Sequence, residues 1–185
     1  MRLGRTALMS VLVVLGACSD DPASSTDSVA GSIPLSTTSA LMPSAEELPL
    51  LGEIAPAIAA IAAQLGGPQE FFEINATARL VNLFVALNNG AVAQPWLYLE
   101  GTLTSTEGQA ASGGTFSSSM VEFDPGVILS TVLTELPGIS IESFYIHGDG
   151  QGNVLYGVLA TSEKGGGLDV VLGADGSVKS VDPVN

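Results

Sequence analysis

Four stretches in which apolar residues recur at every second position constrain this chain most: "VNLFVAL" from Val81, "PWLYLEGTLT" from Pro95, "ISIESFYIH" from Ile139 and "VLYGVLA" from Val154. Period two is the signature of a strand that sends successive side chains to opposite faces. Each stretch is short and bounded by Gly, Asn or Asp, which points to antiparallel strands joined by tight turns. "LDVVLGADGSVKSV" adds a hairpin turning on Asp175-Gly176, where glycine supplies the positive φ that such turns need.

Two segments follow the helical period instead. Ser44 and Glu47 fit a capping box, and Ile54, Ile58, Ile61 and Leu65 then form one apolar face among alanines, up to a stop at Gly66-Gly67. Asp124 is placed to cap a second helix with Pro125 at its first position; Leu129, Val132, Leu133 and Leu136 share a side, and Pro137-Gly138 ends it. The order helix, strands, helix, strands raises a duplication. Leu65, Gly67 and Leu97 precede Leu136, Gly138 and Leu168 by 71 positions, and Leu83, Phe84 and Leu87 precede Leu155, Tyr156 and Leu159 by 72. The expectation is an α+β fold, an antiparallel sheet packed by two helices on one face. It forms a single domain over 44–185, with α-β-β-β pseudo-repeats at about 44–123 and 124–185.

The N-terminus has a different plan. Arg2 and Arg5 precede a nine-residue apolar segment, Ala7 to Leu15, which is too short for a hydrocarbon layer of about 30 Å. It reads as a cleaved secretory signal, residues 1–17. "LGAC", Leu15 to Cys18, resembles the lipobox of bacterial lipoproteins. The resemblance implies that Cys18 becomes a diacylglyceryl-modified N-terminus, lipid-anchored to a bacterial membrane on its extracytoplasmic side. More than one acyl chain makes such an anchor stable. Residues 18–43 follow as a stalk, with ten Ser or Thr between Ser19 and Pro43 and few large apolar groups to order them.

All 19 acidic residues but only three of the five basic ones follow Cys18, so the mature chain carries −16. Arg79, Lys164 and Lys179 cannot neutralise a phosphate backbone, which argues against nucleic acid as a partner and leaves membrane attachment to the acyl chains. With no cysteine after Cys18 there is no intrachain disulfide, and roughly 140 residues must be held by their core alone.

The second half, in "LPGISIESFYI", "NVLYGVLAT" and "LDVVLGADGSVKSV", resembles the PepSY-like pattern of secreted bacterial proteins and the related tandem helix-and-sheet inhibitor proteins. That resemblance, over about residues 124 to 182, implies a module that binds or inhibits other proteins rather than an enzyme.

Groups for chemistry are sparse. His147 is the sole histidine, so a zinc site or a serine triad would have to be built around it, and no GxSxG elbow accompanies it. "HGDGQGN" alternates Asp149, Gln151 and Asn153 like a calcium loop, yet lacks the distal acid and reads more simply as a glycine-rich hairpin. "KGGG", Lys164 to Gly167, lacks the phosphate-loop order and reads as a turn. No catalytic residue, metal or cofactor is expected.

The aromatic residues carry more information. In "WLYLEGTL" the alternation sets Leu97, Leu99 and Leu103 against Trp96 and Tyr98. If the leucines meet the helices, Trp96 and Tyr98 stand on the open sheet face together with Phe84, Tyr145 and Tyr156 as anchors for a partner. The alternative is that "TFSSSMVEF", expected as a strand with one wet face, or loops, or the other half of the chain covers this face and makes the aromatics ordinary core. The first functional expectation is a non-catalytic binding module for a protein or peptide partner in the cell envelope. The alternative is a carrier of a lipid or other apolar ligand, with a hydrolase third.

Overall fold

The computed structural model describes residues 47–184, of which 46% are strand and 21% helical. The signal, Cys18, the stalk and Ser44 lie outside the described residues. Ten strands form one antiparallel sheet: β1 (Glu70–Thr77), β2 (Val81–Leu87), β3 (Val92–Leu99), β4 (Thr102–Ser105), β5 (Gln109–Ala110), β6 (Phe116–Ser117), β7 (Ile139–Gly148), β8 (Val154–Ser162), β9 (Gly167–Leu172) and β10 (Val178–Val184). Their order is β10-β9-β8-β7-β1-β2-β3-β4, with β5 on β3 and β6 on β1.

The expected α+β class is therefore wrong. The protein is built on its ten-stranded sheet, and α1 (Ile54–Leu65) and α2 (Pro125–Glu135) are short additions of 12 and 11 residues. Most of the core comes from strands; the two helices add only Ile54, Ala57, Ile61, Ile128 and Val132 as fully buried residues. The α-β-β-β unit is also wrong, because four meandering strands follow each helix, β1–β4 and β7–β10. The 72-residue offset matches residues on opposite faces: Leu83 is fully buried and Leu155 is 36% exposed.

The physical reason for the miscount is local. In β1 the ladder to β2 steps from Phe71↔Val85 to Glu73↔Phe84, so Phe72 is bulged and the alternation of "EFFEINAT" is broken where a strand would have been recognised. That strand is the middle of the sheet, pairing β2 on one side and β7 on the other.

The helix ends follow the sequence closely. Asp124 Oδ1 accepts from the backbone N–H groups of Gly126 at 2.8 Å and Val127 at 3.0 Å, with Pro125 opening α2. Gly66, at φ 82°, and Gly67 both donate to the Ala62 carbonyl and close α1. The start of α1 differs from expectation, since a 3-10 turn over Leu51–Glu53 leads directly into Ile54. In the last hairpin Gly176 takes φ 81° while Asp175 Oδ1 accepts from Ser177 N at 3.1 Å and Ser177 Oγ at 2.7 Å.

"TFSSSMVEF" is not a continuous strand. Phe116 pairs with Phe71 where β7 no longer reaches, Ser118–Met120 form a 3-10 turn, and Val121 and Phe123 pack against the core. Val121 and Phe123 of the segment thus cover the helix-bearing face. Tyr156 fixes it there: its hydroxyl accepts from Glu122 N at 3.1 Å and lies 3.2 Å from the Glu122 carbonyl.

Candidate functional site

Cross-strand partners share a face, so the register assigns every side chain. Ile74 is opposite Leu83 and Ile146, Ala76 is opposite Val81 and Phe144, and Ile146 is opposite Tyr156. These residues form the covered face. Trp96 is opposite Leu83 and Tyr98 is opposite Val81, so both belong to it as well. Tyr98 and Tyr156 are 8% and 5% exposed, and Trp96 packs against the core with its indole N–H buried and unpartnered. Three of the five aromatics expected on the open face, Trp96, Tyr98 and Tyr156, are therefore on the covered one.

Phe84 and Tyr145 do lie on the open face. Phe84 sits between Pro95 and Glu73, and Tyr145 between Asn75 and Gly157. They are not adjacent, because two strand positions and a register row separate them. Two of the three leucines that the sequence placed inside are outside: Leu97 is opposite Asn82 and Thr104, and Leu99 is 43% exposed, while Leu103, opposite Tyr98, packs against the core as expected. Leu155 and Leu159, across from His147 and Ser143, are 36% and 37% exposed. Cys18 lies outside the described residues.

Tyr145 organises the middle of this face. Its ring lies across Gly157, where a Cβ would come within 2.2 Å of Cζ and Oη, and its hydroxyl donates to Asp169 Oδ1 at 2.6 Å. One side chain thereby spans β7, β8 and β9. It also stacks on His147, ring centroids 5.2 Å apart. Burial pushes the phenol's pKa far above its ordinary value, and the bond to Asp169 and the charges of Glu73 and Asp182 add to the shift. Tyr145 consequently acts as a hydrogen-bond donor. A glycine in the middle of "VLYGVLA" was the available sequence signal for this close approach.

His147 has Glu73 and Leu155 as its cross-strand neighbours. Asp149 turns its carboxylate into its own loop: Oδ2 accepts from Asn153 Nδ2 at 2.8 Å, and Oδ1 from the N–H groups of Asn153 and Gln151. The Asn153 side-chain bond, helped by those N–H groups, holds the carboxyl below its usual range. Asp149, Gln151 and Asn153 thus bind one another. Among the described residues no group of three or more His, Cys, Asp or Glu is placed to hold a metal ion. Nor is any helix among them long and apolar enough to cross a membrane.

Two of the grooves on the surface have mainly apolar linings. One of about 620 Å³ at the end of the sheet is lined by Leu50, Glu53, Arg79, Tyr98 and Glu100. The other, about 290 Å³, runs between Ala55, Ile58 and Ala59 of α1 and the Val121 to Pro125 segment.

The fold and the face define a one-sheet protein with a covered apolar face and a mixed open one. It is similar to the crystal structure of a candidate lipoprotein from Clostridium difficile 630, at 13% identity and a TM-score of 0.49, over 78% of this chain and 98% of that one. No family model and no curated protein matches the chain.

Proposed function

We propose that this protein is a non-catalytic binding module, lipid-anchored through Cys18, that presents the open face of its sheet to a protein or peptide partner in the cell envelope. The observation that carries this reading is the composition of the face. Phe84, Leu97, Leu155 and Leu159 stand on the side away from both helices, among Asn75, Asn82 and His147. Aromatic and aliphatic side chains separated by polar ones are the usual make-up of a surface that is wet alone and buried in a complex.

Paired variants test it. The lipid-anchored chain is purified from its host's envelope, and the co-purifying partner is quantified. Phe84→Ser with Leu155→Ser is expected to reduce recovery at least tenfold, whereas Val127→Ser with Leu133→Ser, exposed on α2, leaves it within twofold. Melting temperatures of both stay near the parent value, as surface substitutions within about 0.5 kcal/mol require. Equal recovery from both pairs would contradict the reading. Trp96→Ala, by contrast, is expected to lower the melting temperature.

A second reading, a carrier of an apolar ligand, is favoured by the groove between α1 and Val121 to Pro125, whose volume of about 290 Å³ approaches that of small-ligand sites. Native mass spectrometry separates the two, since a carrier retains an added mass that organic solvent strips.

A further inference from the structure

The open face carries a charge imbalance that its own residues do not relieve. Glu73 on β1, Asp169 on β9 and Asp182 on β10 all lie on this face. Asp169 and Asp182 are direct cross-strand partners, an arrangement of like charges that weakens a sheet. Tyr145 stands between them: its hydroxyl donates to Asp169, and its partner on β1, Asn75, is two residues from Glu73. None of the three basic residues that follow Cys18 is a cross-strand partner of these acids. Arg79 is in the turn between β1 and β2, Lys164 is in the turn between β8 and β9, and Lys179 acts on Asp175 in the turn before β10. Apolar positions lie beside the carboxylates: Phe84 is the partner of Glu73 with Leu97 on the next strand, Leu155 lies across His147 from Glu73, and Leu159 is the partner of Asp169.

We propose that the occupant of the open face is a cationic, amphipathic polypeptide segment whose Lys or Arg side chains meet Glu73, Asp169 and Asp182 while its apolar side chains meet Phe84, Leu97 and Leu155. The inference rests on the reading of the face as a binding surface and specifies the partner's chemistry. Charge complementarity is the argument. A basic segment relieves the opposed Asp169 and Asp182, and apolar groups between its basic ones meet Phe84 and the leucines that lie beside the carboxylates.

Fluorescence anisotropy on the full mature chain tests it with three labelled twelve-residue peptides that alternate leucine with lysine, serine or glutamate. The lysine peptide is expected to bind at least tenfold tighter than the other two. Glu73→Gln, Asp169→Asn and Asp182→Asn together should weaken it at least tenfold, as should Phe84→Ala with Leu97→Ala. A control that loses the same three charges elsewhere, Glu47→Gln, Glu53→Gln and Glu107→Gln, should leave it within twofold. Asparagine at 169 still accepts from Tyr145. If the triple variant nevertheless unfolds, Glu73→Gln alone is read and should weaken binding severalfold.

Equal weakening by the two triple variants would overturn the proposal, because attraction would then follow net charge. So would equal binding of the serine peptide, or no binding by any of the three. None of these results touches the binding face itself, which stands or falls on recovery of the native partner by the Phe84 and Leu155 variants.

Discussion

Phe144→Ala is expected to lower stability by about 3–5 kcal/mol, the cost of removing a fully buried aromatic side chain. Phe144 has no exposed surface and sits on β7, where its cross-strand partners Ala76 and Val158 are also buried. Its ring centroid is 5.1 Å from that of Phe123 and 6.2 Å from that of Tyr156. Those contacts join the middle of the sheet to the segment that crosses it before α2. Small neighbours on either side leave nothing able to move into the space, so the cavity term is retained. For a domain with a typical stability of about 5–15 kcal/mol, the loss would remove a large share. Urea unfolding monitored by circular dichroism measures it. A loss below about 1.5 kcal/mol, the range of a tolerated core swap, would mean that the aromatic cluster is not packed as described.

Gly157→Ala is expected to cost about 2–3 kcal/mol, mainly by displacing Tyr145 from a hydrogen bond to a charged acceptor. The added methyl would lie 2.2 Å from Cζ and Oη of Tyr145, so the ring must leave. The signature is coupling. In a Tyr145→Ala background the obstruction is gone, and Gly157→Ala should become neutral or stabilise by about 0.5–1 kcal/mol, since alanine orders a strand interior better than glycine. A double-mutant cycle then returns an interaction energy of about 2 kcal/mol or more. Additive costs would show that the ring does not lie over Gly157.

Much of the secondary structure was legible because its signals were local. The cap at Asp124, the stop at Gly66-Gly67, the turn at Asp175-Gly176 and the period of two in β2, β7 and β8 all stand as read, whereas "PWLYLEGTLT" is a hairpin that turns at Glu100-Gly101 from β3 into β4. What failed required knowledge of pairing. In "WLYLEGTL" both alternating sets are apolar, so the sequence gives a period without a phase. The phase comes from β2, where Val81, Leu83 and Val85 are plainly the inner set, transmitted through the ladder to Trp96 and Tyr98. Tyr156 was misplaced for the same reason, its face being set by Ile146 across β7. β1 escaped notice because its bulge at Phe72 interrupts the alternation, and without β1 the sheet could not be counted or centred. The helices then weighed too heavily in the expected class.

The corrected phase changes what the aromatics do. Trp96, Tyr98 and Tyr156 supply core packing, and Tyr145 is a strap holding β7 to β9 over a glycine. The candidate contact residues become Phe84 and the outward leucines, set among carboxylates. The measurement that tests this most directly is photocrosslinking in the intact envelope, with a benzoylphenylalanine placed at Phe84 on the open face or at Leu133 on α2. The account predicts a discrete crosslinked partner from position 84 and none from position 133. A partner captured from position 133 alone would move the binding surface to the helices and contradict it.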